Sequence, residues 1–185
     1  KGYPSTILVT KDIAENVFFE HHKDVNIVSL KQYISEHTDD IAVKKNIKKR
    51  NLKIRLLKYI RYISKFFPEF DKKLATEIRG LRIGNDISAF IANNPNSIYI
   101  PFGISYFEKT YYGSKGINCN IIYAERNAPE IELPNNIYER EHLIGILAKA
   151  DGAVLQTNAE LDFYNGRLKN AVVINNPVKA NLPEP

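Results

Sequence analysis

The chain has 185 residues, of which 44% are hydrophobic and 25% are charged. This balance is typical of a globular domain and excludes a disordered chain, and the length favours one domain over two. The single cysteine, Cys119, excludes an internal disulfide, and no apolar run approaches the roughly 18 residues that a membrane-spanning helix needs. We therefore expect a soluble domain of the cytoplasm.

Apolar residues alternate along the chain between strand-like and helix-like patterns. Continuous β-branched runs, such as residues 5–10, predict buried strands, and apolar residues at three- and four-residue steps, as in 42–67, predict helices. Strands and helices that take turns predict an α/β fold, with a Rossmann-like, doubly wound, mostly parallel sheet and helices on both of its faces. In chain order, the predicted strands are residues 5–10, 25–30, 97–102, 119–124, 152–156 and 171–174, and the predicted helices are 42–67, 71–92, 105–112, 137–149 and 159–168.

Local signals set the expected limits of the helices in the first half. Pro68 is expected to end the helix over 42–67, because the residue before a proline is kept out of the helical region. Asp71 has a side chain that suits a helix N-cap, so it predicts the start of the next helix. Gly80 and Gly84 are the candidate interruptions of that helix.

The net charge of +5 is distributed unevenly. Between Lys44 and Lys65 the sequence has ten Lys and Arg residues and no Asp or Glu. Because this segment alone carries +10, the remaining residues sum to −5. The basic character therefore belongs to one predicted helix and not to the whole surface.

Polar residues or glycine follow four of the predicted strands. In open parallel sheets, ligands bind just beyond the carboxyl ends of the strands. We therefore expect a ligand-binding edge there, although contact with water alone would also make strand ends polar. The residues at these ends are Gly103, Glu125, Arg126, Asn127, Gln156, Thr157 and Asn176.

Several of these segments resemble bacterial glycosyltransferase family 4. Residues 150–157, Ala-Asp-Gly-Ala-Val-Leu-Gln-Thr, are followed by Phe163-Tyr164 and by residues 171–178, Ala-Val-Val-Ile-Asn-Asn-Pro-Val. This series is similar to the pattern that closes the N-terminal domain in that family. Residues 121–129 resemble its E-R-N-D-P segment, with Ala128 where the family pattern has Asp, and residues 1–10 resemble its second strand.

The resemblance implies one half of a GT-B fold, in which two facing Rossmann-like domains hold an acceptor and a nucleotide-sugar. This chain is then the N-terminal, acceptor-binding domain over residues 1–178, with Asn176 and Pro177 as the hinge and 179–185 as the start of the interdomain linker. The family's first strand and its C-terminal donor domain, which carries a pair of glutamates, are not in the sequence. We therefore expect a piece of a longer enzyme that is inactive by itself.

The implied activity is retaining transfer of a sugar from a nucleotide-sugar to a saccharide or lipid-linked acceptor, in the synthesis of cell-surface polysaccharide. Arg126 has the planar fork that binds a phosphate or carboxylate. Glu125 suits a hydrogen bond from a sugar hydroxyl or the orientation of Arg126, and a structural ion pair between the two is the alternative. Asn127 and Gln156 supply both donors and acceptors. We expect no cofactor, and the histidines are not spaced as metal ligands, so we expect no metal.

The basic helix is expected to dock on an anionic membrane surface at the inner face, because its cations lie beside apolar and aromatic residues. The predicted contacts are Lys53, Lys58, Arg61 and Lys65. The alternative is a helix whose apolar stripe packs on the sheet. Two other functions stay open: a nucleic-acid-binding module that uses the helix over 44–65, and a regulatory α/β domain. We expect no nucleic acid partner, since the basic residues are not part of a recognised binding motif.

Overall fold

The computed structural model describes residues 5–9, 25–37 and 39–175. The chain divides into two compact units: the first comprises residues 1–95 and 112–118, and the second comprises 96–111 and 119–185. Both units combine helices with parallel strands, so the predicted Rossmann-like α/β class is confirmed. The predicted hinge, Asn176 and Pro177, and the predicted linker lie outside the described residues.

The first unit contains a two-stranded parallel sheet. Strands β1 (Ser5–Val9) and β2 (Val25–Ser29) pair along their whole length, close to the predicted limits. Helix α1 (Leu30–His37) follows β2 directly and was not predicted. The sequence nevertheless indicates where this helix starts. The Ser29 hydroxyl accepts a 3.4 Å hydrogen bond from the Gln32 N–H in the first turn. A serine followed three residues later by glutamine is a typical helix start.

Three further helices of the first unit correct the predicted helix limits. Helix α2 (Ile41–Ile63) passes into a 3-10 turn (Ser64–Phe66), and α3 (Pro68–Ile83) follows. Pro68 therefore begins a helix, in the first position, where its missing N–H costs nothing. The prediction that Asp71 is the N-cap was wrong. Asp71 lies in the first turn of α3, where its carboxylate accepts a 2.8 Å hydrogen bond from Arg61.

Gly84 separates α3 from α4 (Asn85–Asn93), whereas Gly80 lies inside α3 without interrupting it. Both glycines are needed for close approach. A Cβ on Gly84 would lie 2.5 Å from the backbone nitrogen of Gly113, and a Cβ on Gly80 would overlap the ring of Tyr112. Within this unit, the segment around Tyr112 therefore packs against glycine backbone.

Arg50 of α2 joins the helices of the first unit. Its guanidinium is buried, with 4% of the residue exposed. It donates hydrogen bonds to main-chain carbonyls at the carboxyl ends of two helices, where the helix dipole favours a cation. The acceptors are the carbonyl oxygens of Leu81 at 2.8 Å, Tyr112 at 2.7 Å and Gly113 at 3.3 Å, and the side-chain oxygen of Asn85 at 2.9 Å.

The second unit is built on a parallel sheet of four strands that lie side by side in chain order. Strand β3 is shorter than predicted, and a short helix over residues 129–132 was not predicted. The strands are β3 (Ile98–Tyr99), β4 (Asn120–Ala124), β5 (Gly152–Leu155) and β6 (Ala171–Val173). The helices are α5 (Ile104–Gly113), whose last two residues belong to the first unit, α6 (Pro129–Glu132), α7 (Ile137–Leu147) and α8 (Asn158–Tyr164).

The core of the second unit lies on one face of this sheet. Tyr123 of β4 and Leu155 of β5 are fully buried, and the ring of Phe107 from α5 meets Tyr123 edge-on at 5.5 Å between centroids. The opposite face is more open, since Ile98 and Val172 remain at least half exposed.

Candidate functional site

The predicted strand-end residues of the second unit lie together at one edge of the four-stranded sheet. The Gly103 N–H donates to the Ala124 carbonyl at 2.8 Å, next to the segment 125–127. The Gln156 amide nitrogen donates to the carbonyls of Glu125 at 3.2 Å and Arg126 at 3.3 Å. The grouping that the sequence predicted is therefore confirmed for the segments that begin at Gly103, Glu125 and Gln156.

Gly103 forms the turn from β3 into α5. Its φ of +81° is in the region that favours glycine, and the residue is buried. A Cβ there would also lie 3.0 Å from both carboxylate oxygens of Glu132. Glu132 sits at this place because it accepts a 2.7 Å hydrogen bond from the Ile104 N–H at the start of α5. Gly103 therefore lets the end of α6 approach the start of α5.

Glu125 is withdrawn from the surface, with only 4% of the residue exposed. One carboxylate oxygen accepts a 2.5 Å hydrogen bond from the Tyr123 hydroxyl, and the other accepts a 2.9 Å bond from the Tyr164 hydroxyl. Both carboxylate oxygens therefore bind tyrosine hydroxyls, and the alternative ion pair with Arg126 does not form among the described residues. Glu125 instead ties β4 to α8, beneath the loop that carries Arg126.

The surroundings of Glu125 raise the pKa of its carboxyl to about 7. Burial is the main cause, because a desolvated carboxylate loses its hydration. The negative charges of Glu160 and Glu132 add to the increase, while the hydrogen bonds from Tyr123 and Tyr164 oppose it. The same burial raises the pKa of both tyrosine hydroxyls, so they remain protonated donors.

Arg126 and Asn127 are the exposed members of the predicted site. The Arg126 guanidinium makes no hydrogen bond or ion pair with any residue that the structure describes, and the residue is exposed at the sheet edge. The Asn127 side-chain nitrogen donates a 2.9 Å hydrogen bond to Glu132, and the Asn127 side-chain oxygen takes no part in that contact. Of the six predicted ligand-binding residues, Arg126 is thus the one that has a charged side chain with no hydrogen bond or ion pair to a described residue.

Gln156 and Thr157 have a structural role at the start of α8. Thr157 is the N-cap, and its hydroxyl accepts a 3.2 Å hydrogen bond from the Glu160 N–H. Glu160 in turn accepts from the backbone of Thr157 at 3.1 Å and of Gln156 at 2.6 Å. This capping box fixes the backbone of Gln156, whose side chain then reaches the carbonyls of the neighbouring loop.

Four residues that the sequence analysis did not select are central to this edge: Tyr123, Glu132, Glu160 and Tyr164. The Thr-x-x-Glu spacing was a readable signal for Glu160. Tyr164 is part of the Phe-Tyr pair that resembles the family pattern, but the sequence analysis assigned it no role. Glu132 had no signal, because its partner, the Ile104 N–H, lies 28 residues earlier in the chain.

The four cations that were predicted to contact a membrane divide into two pairs. Lys53 donates to Glu77 at 3.3 Å and Arg61 to Asp71 at 2.8 Å, so both are committed to α3. Lys65 lies over the ring of Tyr62 at 5.2 Å from the centroid. Lys58 has no ion-pair partner among the described residues.

Within residues 5–9, 25–37 and 39–175, no group of three or more His, Cys, Asp or Glu side chains is arranged to hold a metal ion. In the same ranges, the helices are too short or too polar to cross a membrane.

No protein-family model, curated protein or solved structure matches this chain. The likeness to glycosyltransferase family 4 therefore depends on the motifs of the sequence and on how those motifs lie in the fold.

Proposed function

We propose that this chain is the acceptor-binding, N-terminal domain of a glycosyltransferase. In this proposal, the complete enzyme moves a sugar from a nucleotide-sugar to a saccharide or lipid-linked acceptor in cell-surface polysaccharide synthesis. It works in the cytoplasm, at the inner face of the membrane when the acceptor is a lipid. The donor is bound by a C-terminal domain of the same protein.

The main support is the junction between the two most family-like motifs. The Glu-Arg-Asn segment follows β4 and the Gln-Thr segment follows β5, and these strands are hydrogen-bonded neighbours. The Gln156 side chain binds the carbonyls of Glu125 and Arg126. Two motifs that lie about 30 residues apart in the sequence thus form one continuous polar edge, at the end of a parallel sheet where ligands bind.

Arg126 is the residue that we assign to the acceptor. It is exposed, its guanidinium has no partner among the described residues, and the buried Glu125 anchors the loop beneath it. A guanidinium in this position suits the phosphate or carboxylate of a charged acceptor, and the Asn127 amide oxygen suits a sugar hydroxyl. Together they hold an acceptor so that its hydroxyl points toward the anomeric carbon of the donor.

The test is a transfer assay on the complete gene product, with a panel of radiolabelled nucleotide-sugars and a lipid extract as acceptor source. We expect labelled product, and we expect Arg126→Ala to reduce turnover about tenfold or more, which corresponds to one lost charge-assisted contact. Arg167→Ala is the matched control, because Arg167 is an exposed arginine of the same unit that binds Glu141. Absence of transfer with every donor would overturn the proposal, and equal loss in both variants would remove Arg126 from it.

A further inference from the structure

Helix α2 exposes an apolar stripe on the side that faces away from its packing contacts. Val43, Arg50 and Ile54 are its buried side. On the opposite side, four residues that are spaced four, three and four positions apart are exposed. The most exposed of them, Leu52, has 68% of its surface accessible to solvent. We call this stripe, which consists of Leu52, Leu56, Tyr59 and Ile63, the outward stripe. Because these side chains are exposed, the stripe does not pack on either of the sheets that the structure describes, as the alternative in the sequence analysis required.

The outward stripe continues into a cluster of exposed aromatic side chains where α2 ends. Phe66 of the 3-10 turn is 88% exposed, and Tyr62 is 71% exposed. We call Tyr62, Phe66, Phe67 and Phe70 the aromatic corner. Large apolar side chains that are exposed as a group, and not singly, mark an interaction surface.

Positive charge surrounds this apolar surface. Lys45, Lys48 and Arg55 project on the same outward side of α2, and Lys58 lies at its border. None of these four forms an ion pair with a described residue. The carboxylates of α3 bind Lys53 and Arg61 instead, on the side toward the protein. The outward surface therefore combines uncompensated cations with exposed aliphatic and aromatic groups.

We infer that the outward stripe and the aromatic corner form a docking surface for an anionic lipid bilayer. The aromatic corner enters the boundary between headgroups and acyl chains, where Tyr and Phe are favoured, and the four cations bind the anionic headgroups. This assignment replaces Lys53, Arg61 and Lys65 with Lys45, Lys48 and Arg55, and it makes the aromatic corner the principal anchor. It does not depend on the proposed sugar transfer.

Charge decides between a bilayer and a second copy of the chain. Two copies that met through this surface would bring the four outward cations of one helix close to the same four cations of the other, and the segment between Lys44 and Lys65 has no acidic residue to compensate them. Like charges at such an interface oppose association. A nucleic acid would satisfy the cations, but it would leave the aliphatic stripe in water. An anionic bilayer complements both parts of the surface.

The experiment is co-sedimentation of the full chain with vesicles of phosphatidylcholine alone or of phosphatidylcholine with one-third phosphatidylglycerol. We expect strong binding to the anionic vesicles, weaker binding to the neutral ones, and a decrease with added salt. Tyr62→Ser with Phe66→Ser removes two anchors, and Lys48→Gln with Lys58→Gln removes two unpaired cations. Each pair should lower the partition coefficient about tenfold or more, since each cation near an anionic leaflet contributes a factor of about five.

Two control variants carry the same types of substitution at exposed positions of the second unit. Ile131→Ser with Ile137→Ser removes two apolar side chains that are each 77% exposed, and Lys149→Gln with Lys169→Gln removes two exposed cations of the second unit. We expect neither pair to change binding, and circular dichroism checks that all variants remain folded. Equal loss in the test and control pairs would overturn the docking surface. So would a concentration-dependent dimer that buries it, or binding to nucleic acid with none to vesicles.

Discussion

The Tyr123 hydroxyl donates a 2.5 Å hydrogen bond to the carboxylate of Glu125, two residues further along the chain. Tyr123 lies in β4 and Glu125 directly follows that strand, so the two groups are close together along the chain. Tyr164 of α8 binds the other carboxylate oxygen. A buried acid thereby connects the end of one strand to a helix, directly below the exposed Arg126.

Glu125→Gln is expected to change how stability depends on pH. The folded pKa of about 7 lies above the ordinary value of 4.5 for this carboxyl, so the folded chain holds a proton that the unfolded chain releases. Its contribution is fully present below pH 4.5 and is lost as the pH rises through 7. The change corresponds to about 3 kcal/mol in the free energy of unfolding. Urea titrations between pH 4.5 and 8 measure it.

In the Glu125→Gln variant, this part of the pH dependence should disappear, because glutamine does not titrate. Glu139→Gln is the control, since Glu139 is an exposed residue in the first turn of α7, whereas Glu125 is buried. It should leave the pH profile in place. A Glu125→Gln profile parallel to that of the unchanged protein would mean that the carboxyl titrates normally.

The sequence predicted the sheet edge better than the helices of the first unit. Strand-end residues are set by the alternation of strands and helices, which local pattern reveals, so Gly103, Glu125 and Gln156 were grouped correctly. The role of Glu125 was not predictable, because its burial depends on Tyr164, 39 residues later. An adjacent Glu-Arg pair has the same local pattern whether it binds a ligand or supports a loop.

Arg50→Met is expected to destabilise the first unit by about 3 kcal/mol or more. The substitution keeps an unbranched side chain but removes every hydrogen bond to the carbonyls of Leu81, Tyr112 and Gly113, which then lack that donor. Arg55→Met, on the exposed side of the same helix, should change the free energy of unfolding by less than about 0.5 kcal/mol. Chemical denaturation followed by circular dichroism compares the two. A similar small effect in both would show that water replaces the lost guanidinium.

The charge pattern of the sequence did not reveal that Arg50 is buried. In the sequence it is one of ten basic residues between Lys44 and Lys65, and nothing local distinguishes it from its neighbours. Its burial follows from helix ends that lie 31 and 62 residues away. Nine of these cations therefore belong to a surface and one to a core, and only the tertiary contacts separate them.

Gly103→Ala is expected to cost more stability than Gly116→Ala, although both glycines have a positive φ, +81° and +86°. The backbone strain of an alanine there is about 1 kcal/mol at each position. At Gly116 nothing lies within 4 Å of the added Cβ, whereas at Gly103 it meets Glu132 at 3.0 Å. We expect the additional cost at Gly103 to be about 1 kcal/mol, because Glu132 must give up its cap of α5. Thermal unfolding of both variants measures the difference, and equal losses would mean that Glu132 moves freely.

Glu132→Gln is expected to loosen the start of α5 more than it lowers overall stability. The carboxylate binds the Ile104 N–H at 2.7 Å and the Asn127 amide at 2.9 Å, and its charge favours the positive end of the helix dipole. A neutral amide keeps the shape but loses that charge, which costs about 0.5–1 kcal/mol. Hydrogen exchange should therefore become faster at the Ile104 amide and stay unchanged at the Ile121 amide, which binds Asp151 at 2.8 Å. Glu130→Gln, an exposed residue of the same short helix, is the control. If Ile104 exchanges at the same rate in both variants, the hydrogen bond matters and the charge of Glu132 does not.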